Sequence, residues 1–335
     1  MSALVTGGSG FLGLYVTEQL RARGEQVRVF CRKRHPRVDE IGAEWIPGDI
    51  RDRDAVSRAC EGVDVVFHTA AHPGVWGPWS LYRAVNTDGT LNVIDACRRQ
   101  GVGRLVHTSS ASVVYDTTRH ENVNESRPYA NRFLCHYPRS KALAEKAVLD
   151  ANAQDGLTTV ALRPHLIWGP RDNHLIPQLV YRARVGRLRR VGNGRNLIST
   201  SYVENAAAAH LAAADELVPD SPAAGQAYFI NEPEPLNLWQ WVDELIASAG
   251  LPPIRRKISS KAAWQLGALL EGLYRLLRLP GEPVMTRFVA SQLSESHYYD
   301  ISKARRDFGY EPRISIEEGM RRLEPDLKRL SQTAC

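Results

Sequence analysis

The chain has 335 residues, a length that favours one large domain joined to a smaller one. Its apolar fraction of 43% and charged fraction of 24% are ordinary for a globular protein, and they argue against a disordered chain. The formal net charge of +6 favours anionic ligands or a membrane surface. The cations are scattered and no nucleic-acid-binding motif accompanies them, so we expect no nucleic acid as a partner.

Cysteine usage and the start of the sequence indicate the compartment. The five cysteines are odd in number and lack paired spacing, which predicts a reducing compartment with neither a disulfide framework nor a zinc site. The first strand-like run begins almost at the first residue, and no apolar run is long enough to cross a bilayer. We therefore expect a cytoplasmic protein.

A glycine-rich turn near the start of the chain predicts a dinucleotide site. The apolar run Ala3–Val5 reads as a buried strand, glycines follow at positions 7, 8, 10 and 13, and helical spacing begins at Phe11. Such a turn brings the N–H groups of a helix N-terminus close to a pyrophosphate. The turn alone is weak evidence, but a second strand at Gln26–Phe30 favours a dinucleotide ligand over a plain turn.

Strands and helices alternate through the first half of the chain. The predicted strands are Ala3–Val5, Gln26–Phe30, Glu44–Ile46, Val63–Thr69, Arg104–Thr108 and Thr159–Arg163. The predicted helices are Asp52–Cys60, Leu81–Arg99 and Arg139–Ala153. This alternation predicts an α/β fold with a doubly wound parallel sheet of the Rossmann type, whose ligand binds beyond the carboxyl ends of the strands.

The pattern loosens after the sixth predicted strand. Trp168–Asp172 reads as a loop, Ile176–Val185 as a helix and Gln226–Ile230 as one more strand, after which the chain is helix-rich. We therefore expect a dinucleotide-binding domain and a smaller, helix-rich C-terminal substrate or lid region. The first comprises residues 1–165 with residues 198–232 returning to it, and the second comprises residues 166–197 and 233–335.

Tyr137 and Lys141 form the second informative motif. They are four residues apart and lie on one face of a helix whose first turn accommodates Pro138. An ammonium group and an oxidised nicotinamide would lower the tyrosine pKa, so that the phenol exchanges a proton with a substrate hydroxyl near neutral pH. The spacing alone fits an ordinary amphipathic helix, but Ser110, at the end of the fifth predicted strand, could bind the same substrate oxygen.

Together these motifs resemble the extended short-chain dehydrogenase/reductases, and the resemblance covers nearly the whole chain. It is carried by Thr6-Gly7-x-x-Gly10-x-x-Gly13, Asp49-Ile50, the serine run, Tyr137-x-x-x-Lys141 and Leu162-Arg-Pro-x-x-x-x-Gly-Pro170. The resemblance implies that Ser110, Tyr137 and Lys141 are the catalytic set and that Lys141 also holds the nicotinamide ribose.

With the ends of the predicted strands, the resemblance also implies the cofactor-binding residues. They are Gly7, Gly10, Phe11, Leu12, Gly13, Cys31, Arg32, Asp49, Ile50, Ala70, Ala71, Asn86, Tyr137, Lys141 and Pro164. Asp49 and Ile50 would contact the adenine, and Pro164 would border the nicotinamide. For Asn86 the family suggests a proton-relay water, and bracing of the helix backbone is an equal alternative.

Within that family the chain looks like the 3β-hydroxysteroid dehydrogenase branch. The similarity is carried by Thr108-Ser-Ser-Ala-Ser-Val113, Arg163-Pro-His, Gly169-Pro-Arg-Asp172, Gly192-Asn-Gly194, Tyr202-Val-Glu-Asn205 and His297-Tyr-Tyr299. Two groups are especially similar, the sterol-4α-carboxylate 3-dehydrogenases and the bacterial 2-alkyl-3-oxoalkanoate reductases. Both interconvert a hydroxyl and a ketone on the carbon β to a carboxylate, and the lack of a C-terminal apolar span favours the bacterial group.

The resemblance implies an oxidoreductase that interconverts a ketone and a secondary alcohol on a long apolar substrate, a 2-alkyl-3-oxoalkanoate in the first instance. The alternatives are a 3β-hydroxysteroid or sterol-4-carboxylate 3-dehydrogenase, a nucleotide-sugar epimerase or dehydratase, and a non-catalytic dinucleotide-sensing protein. The family also leads us to expect a homodimer.

The end of the second predicted strand indicates which dinucleotide is used. A site that prefers NAD usually places Asp or Glu there to bind the ribose 2′-OH. Here Cys31 is followed by Arg32, Lys33 and Arg34, so no carboxylate repels a 2′-phosphate and Arg32 can bind one. We therefore expect NADP(H) to be preferred, with NAD(H) as the alternative cofactor.

The C-terminal third supplies apolar side chains. Trp239, Trp241 and the leucine-rich segment Ala262–Leu279 are predicted to form walls of an apolar pocket. The same segment could instead be a lid helix packed on the core, or lie on a membrane as an amphipathic helix. A contact with another enzyme of the pathway is also open. No histidine spacing indicates a metal site. Four histidines near strand ends read as packing or pocket residues, namely His68, His72, His107 and His165.

Overall fold

The computed structural model describes residues 1–332 of the chain. Its strands are β1 (Ser2–Thr6), β2 (Gln26–Cys31), β3 (Glu44–Pro47), β4 (Val65–His68), β5 (Arg104–Thr108), β6 (His120–Val123), β7 (Thr158–Pro164), β8 (Ile167–Trp168), β9 (Arg190–Val191), β10 (Leu197–Ile198), β11 (Ser201–Tyr202), β12 (Gln226–Ile230), β13 (Leu236–Asn237), β14 (Lys257–Ile258) and β15 (His297–Tyr299). Its α-helices are α1 (Phe11–Ala22), α2 (Pro36–Glu40), α3 (Arg53–Ala59), α4 (Trp79–Tyr82), α5 (Gly89–Gln100), α6 (His136–Asp150), α7 (Leu175–Arg184), α8 (Val203–Asp215), α9 (Leu238–Ser248), α10 (Ser260–Leu276), α11 (Arg287–Ser294), α12 (Ser302–Phe308) and α13 (Ile316–Gln332).

The main sheet has seven parallel strands in the order β12-β7-β5-β4-β1-β2-β3. The chain builds outward from β1 through β2 and β3, then returns to the other side of β1 with β4. The order therefore reverses between β1 and β4, and in such sheets ligands bind beyond the carboxyl ends of the strands at this point. The predicted doubly wound parallel sheet is confirmed.

Helices cover both faces of this sheet because its central strands are apolar on both sides. All four residues of β4 and all seven of β7 are buried. One face packs against α1, α8 and α12, with Val16, Leu211 and Phe308 in the shared core. The other face packs against α3, α5 and α6, where Val93 and Val148 contribute.

The C-terminal half adds a second apolar core. It is centred on the buried indoles Trp168, Trp239 and Trp241, and α7, α9, α10, α11 and α13 contribute to it. A four-stranded sheet of order β13-β10-β15-β6 lies beside it and joins segments that are distant in sequence. Within the described residues, no helix combines the length and hydropathy needed to cross a membrane.

Local differences from the predicted elements have physical causes. The predicted helix Leu81–Arg99 is a short α-helix, a π-helical turn at Arg83–Asp88 and then α5, so the helix changes pitch within its first half. The predicted helix Arg139–Ala153 begins earlier, at His136, because Cys135 before it has extended backbone angles. The strand predicted at Gln226–Ile230 is confirmed with the same bounds.

Candidate active site

The glycine turn after β1 leaves the N-terminus of α1 open. Gly7 has φ +73°, and its N–H donates to the carbonyl of Phe30 at 2.8 Å, which holds the turn against β2. A Cβ on Gly7 would lie 2.8 Å from Cα of Ala70, so only glycine fits. Gly10 precedes α1 without a side-chain cap, and the first turn carries no acidic residue. The first N–H groups of α1 therefore remain available to an anion.

A cavity of about 1060 Å³ lies at this end of the sheet. It brings together the predicted catalytic residues and all but one of the predicted cofactor residues. Those that line it are Gly7, Gly10, Phe11, Leu12, Gly13, Cys31, Arg32, Asp49, Ile50, Ala70, Ala71, Ser110, Tyr137, Lys141 and Pro164. An uncapped helix N-terminus opening into a cavity of this size is a fitting place for the pyrophosphate of a dinucleotide.

Ser110 is fixed by the turn that follows β5. Its backbone is extended, and its Oγ accepts a hydrogen bond from the N–H of Ser112 at 3.2 Å. The two Oγ atoms are 2.8 Å apart. Ser112 also lines the cavity, and the sequence analysis did not single it out. In the sequence, the place of Ser112 in the serine run was the one feature that could have pointed to it.

Tyr137 lies in the first turn of α6, and its side chain lines the same cavity as Ser110. Burial raises the pKa of Tyr137, and the nearby hydroxyl of Ser110 acts in the opposite direction. The lowered pKa predicted from the sequence depends on an oxidised nicotinamide as well as on the ammonium of Lys141, and it stays a prediction. Among the protein's own groups, desolvation outweighs the other influences on this phenol, and the ammonium of Lys141 is bound to the carbonyl of Thr108.

Lys141 is buried one helical turn beyond Tyr137. Its Nζ donates to the carbonyl of Thr108 at 2.6 Å and lies 3.5 Å from Nε2 of His107. Burial lowers the pKa of Lys141 to about 8, and the nearby carboxylate of Glu145 opposes this change. The pKa of His107 is lowered by burial and by Lys141, so this imidazole is neutral and accepts from the ammonium.

Asn86 is the predicted cofactor residue that does not line the cavity. It is buried in the π-helical turn, and its Nδ2 donates to Oγ of Ser140 at 2.9 Å and to the carbonyl of His72 at 3.1 Å. Its Oδ1 accepts from the N–H of His72 at 2.6 Å. Ser140 in turn donates to the carbonyl of Tyr137 at 2.8 Å. Of the two roles left open for Asn86, the contacts support bracing of α6 against the loop after β4.

The far wall of the cavity is apolar. Trp239 and Trp241 of α9 line it as predicted. The prediction that Ala262–Leu279 forms a pocket wall is wrong, because α10 turns small residues and a carboxylate inward and most of its leucines outward. The following residues Pro283 and Val284 line the cavity instead.

A pair of buried histidines also lines the cavity. Nε2 of His165 lies 2.8 Å from Nδ1 of His297, and Nε2 of His297 donates to the carbonyl of Gln292 at 2.9 Å. His165 is a pocket residue as predicted, but its partner is 132 residues away in sequence, and no local pattern signals the pair.

The carboxyl end of β2 presents cations to the cavity. Arg34 is held by Asp39, with its Nη2 2.8 Å from Oδ1. Among the described residues, no hydrogen-bond acceptor holds the exposed guanidinium of Arg32, which also lines the cavity. The carboxylate of Asp49 is bound by Arg51 at 2.7 Å. This bond is the main cause that lowers the pKa of Asp49 to about 2, and the charge of Arg32 makes a smaller contribution in the same direction.

Similarity to known proteins agrees with this geometry. Residues 4–259 match the model of the 3-beta hydroxysteroid dehydrogenase/isomerase family. The chain is 49% identical to a 2-alkyl-3-oxoalkanoate reductase of Stenotrophomonas maltophilia, with 97% of this chain and 98% of that protein covered. It is 36% identical to a mouse sterol-4-alpha-carboxylate 3-dehydrogenase, with 95% and 88% covered. A crystal structure of a UDP-glucuronic acid 4-epimerase from Bacillus cereus with NAD has the same fold, with a TM-score of 0.77, 20% identity and coverage of 99% and 100%.

Proposed function

The chain belongs to the 3-beta hydroxysteroid dehydrogenase/isomerase family, and we propose that it interconverts a 2-alkyl-3-oxoalkanoate and the corresponding 2-alkyl-3-hydroxyalkanoate. The predicted family and enzyme class are confirmed, since the protein is an oxidoreductase that acts on hydroxyl and ketone groups with a nicotinamide dinucleotide. The observation that carries the choice of substrate is the 49% identity, over almost the whole of both chains, to a reductase of that name.

In the proposed mechanism, Ser110 and Tyr137 hold the reacting oxygen. Both side chains line the same cavity, so a ketone oxygen placed between their hydroxyls would accept a hydrogen bond from each. When bound, the dinucleotide supplies the hydride for reduction and accepts it for oxidation. Tyr137 gives its proton to the oxygen during reduction and takes it back during oxidation. The raised pKa keeps the phenol protonated, which suits the reductive direction.

Lys141 brings a buried positive charge to the site in this proposal. With a pKa of about 8 the ammonium is present at neutral pH, and it is buried near the carboxylate of Glu145. Glu145, which raises this pKa, is itself paired with Arg163 at 2.6 Å. The proposed second role of Lys141, binding the ribose, requires Nζ to share its hydrogens between the ribose and the carbonyl of Thr108, and an ammonium has three to give.

The apolar wall supports a long aliphatic substrate. Trp239, Trp241 and Phe288 line the cavity on the side away from the glycine turn. Each CH₂ that moves from water into such a wall gains roughly 0.8 kcal/mol, so a long acyl chain binds far better than a short one. A sterol carboxylate is the second candidate, since the 36% identity to the mouse sterol enzyme covers most of both chains.

For the dinucleotide we propose NADP(H) over NAD(H). The support is the set of cations at the end of β2, where no carboxylate follows the strand and Arg32 faces the cavity. NAD(H) is the alternative cofactor, since the Bacillus cereus epimerase of the same fold was crystallised with NAD.

We also propose that the chain is divided into a dinucleotide-binding part and a substrate-binding part. Residues 1–165 and 198–232 would bind the dinucleotide, and residues 166–197 and 233–335 would bind the substrate. The cavity draws on both sets, with Gly7 and Ser110 from the first and Leu175 and Trp239 from the second. A homodimer remains a prediction, which light scattering of the purified protein would check.

The test is a spectrophotometric panel with NADPH and NADH. It compares 2-alkyl-3-oxoalkanoates, 3-oxosteroids and UDP-linked sugars as substrates. We expect net NADPH oxidation, fastest with the 2-alkyl-3-oxoalkanoates. Faster turnover of steroids would move the assignment to the sterol group, conversion of a nucleotide sugar without net NADPH loss would identify an epimerase, and no turnover at all would favour a dinucleotide-sensing protein.

A further inference from the structure

Helix α10 is packed on one face only. Ala263, Gly267 and Glu271 are buried, and they lie one turn apart on the face toward α11. A Cβ on Gly267 would lie 2.7 Å from the backbone nitrogen of Arg287, so the two helices meet with backbone close to backbone. The carboxylate of Glu271 accepts from that same N–H at 2.7 Å and from the guanidinium of Arg287 at 2.7 Å.

The next face of α10 carries a row of leucines toward solvent. We call the residues Leu266, Leu269, Leu273, Leu276 and Leu277 the leucine stripe. The first four recur every three or four residues, and Leu277 lies four residues after Leu273, so all five share one side of the helix. They are 37%, 68%, 41%, 80% and 57% exposed, respectively. Single exposed leucines are ordinary, but a continuous apolar row on the surface indicates an interaction site.

The exposed charges of α10 and of the residues just before and after it have one sign. The segment from position 255 to position 278 contains six cations, namely Arg255, Arg256, Lys257, Lys261, Arg275 and Arg278. All six are exposed. Its single carboxylate, Glu271, is buried and bound to Arg287. The next carboxylate along the chain is Glu282, beyond the helix at the cavity. The surface offered by α10 is therefore apolar and cationic.

We propose that the leucine stripe docks the enzyme on an anionic lipid surface. A helix with an apolar row beside exposed Lys and Arg lies in the interface of a bilayer, with its leucines among the acyl chains and its cations at the anionic headgroups. A second copy of the chain is a poorer occupant, because pairing two stripes would bring cations against cations.

Docking in this way would place the cavity entrance at the lipid surface. Glu282, Pro283 and Val284 follow α10 closely and line the cavity, and Val284 is 61% exposed. A long apolar substrate is concentrated in lipid, so it could pass from the bilayer to Trp239 and Trp241 without crossing water. This consequence rests on the proposed function, whereas the docking itself does not.

The test is co-sedimentation of the full-length protein with vesicles, without substrate. One set contains phosphatidylglycerol and phosphatidylcholine in equal parts, and the other contains phosphatidylcholine alone. The variants are Leu269→Gln/Leu276→Gln, which alters the two most exposed leucines, and Lys261→Gln/Arg278→Gln. Val218→Gln, an exposed apolar residue after α8, is the matched control. Turnover of a short, water-soluble substrate shows that each variant is folded, since none of these residues lines the cavity.

We expect the wild type and Val218→Gln to bind the phosphatidylglycerol vesicles. The leucine variant should bind at least about tenfold more weakly, because two leucines that would enter the bilayer are replaced by amides. The cation variant should lose the preference for phosphatidylglycerol. The proposal is overturned if the wild type stays in the supernatant, if the leucine variant binds like the wild type, or if light scattering shows that the leucine variant breaks an oligomer. None of these results depends on which substrate the enzyme reduces.

Discussion

Arg32 should decide which dinucleotide the enzyme prefers. It is the first residue after β2, it lines the cavity, and it contributes to lowering the pKa of Asp49, which places its charge near the expected adenosine end. Replacing it by alanine removes the planar fork that would bind a 2′-phosphate. NADPH should lose affinity, while NADH, which carries no such phosphate, should be almost unaffected.

The size of the effect follows from one charged hydrogen bond. Such a bond contributes ~1.5–3 kcal/mol, which corresponds to roughly ten- to over a hundredfold in kcat/KM. Because Arg32 is exposed, water competes for the guanidinium and the lower half of this range is expected. Arg34→Ala is the matched control. That guanidinium is already bound to Asp39 and lies over the ring of Trp45, so its loss should change the NADPH/NADH ratio much less.

The assay is steady-state kcat/KM for NADPH and NADH with the wild type and both variants, at one ionic strength. A wild type that prefers NADH would refute the NADP(H) proposal. A ratio that is unchanged in Arg32→Ala would leave the preference standing but remove Arg32 as its cause, and a larger change in Arg34→Ala would assign it to that residue.

Three further predictions concern charge and packing near the site. The pKa of Lys141 is lowered to about 8, so its ammonium is lost as the pH rises through that value, and kcat/KM should fall there. Lys141→Arg should abolish this fall. A wild-type pH profile without the fall would contradict the role assigned to Lys141. Glu145→Ala leaves Arg163 buried and unpaired, which should lower the free energy of unfolding in urea by ~3–5 kcal/mol; a loss below ~1 kcal/mol, typical of surface pairs, would be inconsistent with a buried pair. Gly13→Ala should weaken dinucleotide binding in a fluorescence titration, because its Cβ meets a carbonyl of the glycine turn. Gly272→Ala, in an open part of α10, should leave dinucleotide binding unchanged and raise the free energy of unfolding by ~0.5–1 kcal/mol. Equal losses of dinucleotide affinity in the two variants would show that close approach at Gly13 is not the cause.

The main sheet could be predicted because its signals are local. Each strand is a short apolar run, each crossing helix has its own periodicity, and parallel strands joined in this way leave few possible arrangements. The site followed from the same logic, since Ser110 and the glycine turn both stand where a strand ends. Sequence could therefore place Gly7, Ser110, Tyr137 and Lys141 around one cavity without knowing any long-range contact.

The features that could not be predicted depend on long-range contacts or on burial. The sheet of β6, β10, β13 and β15 consists of strands of two to four residues that carry no periodicity of their own. The raised pKa of Tyr137 depends on desolvation, which spacing does not reveal. In α10, leucine spacing indicated an apolar face but not which face is buried, and the packed face is the one with Gly267, where small size permits close approach.

The most direct test of the proposed chemistry is Tyr137→Phe, assayed by NADPH oxidation with a 2-alkyl-3-oxoalkanoate. The variant loses the proton donor and keeps the cavity, so kcat should fall by ~10²–10⁴-fold while the dissociation constant for NADPH stays the same. Tyr82→Phe is the control, since that hydroxyl donates to the carbonyl of Trp76 at 3.2 Å, and its kcat should remain close to that of the wild type. If Tyr137→Phe retained more than about half of the wild-type turnover in an assay limited by chemistry, Tyr137 would not be the acid and the proposed mechanism would be wrong.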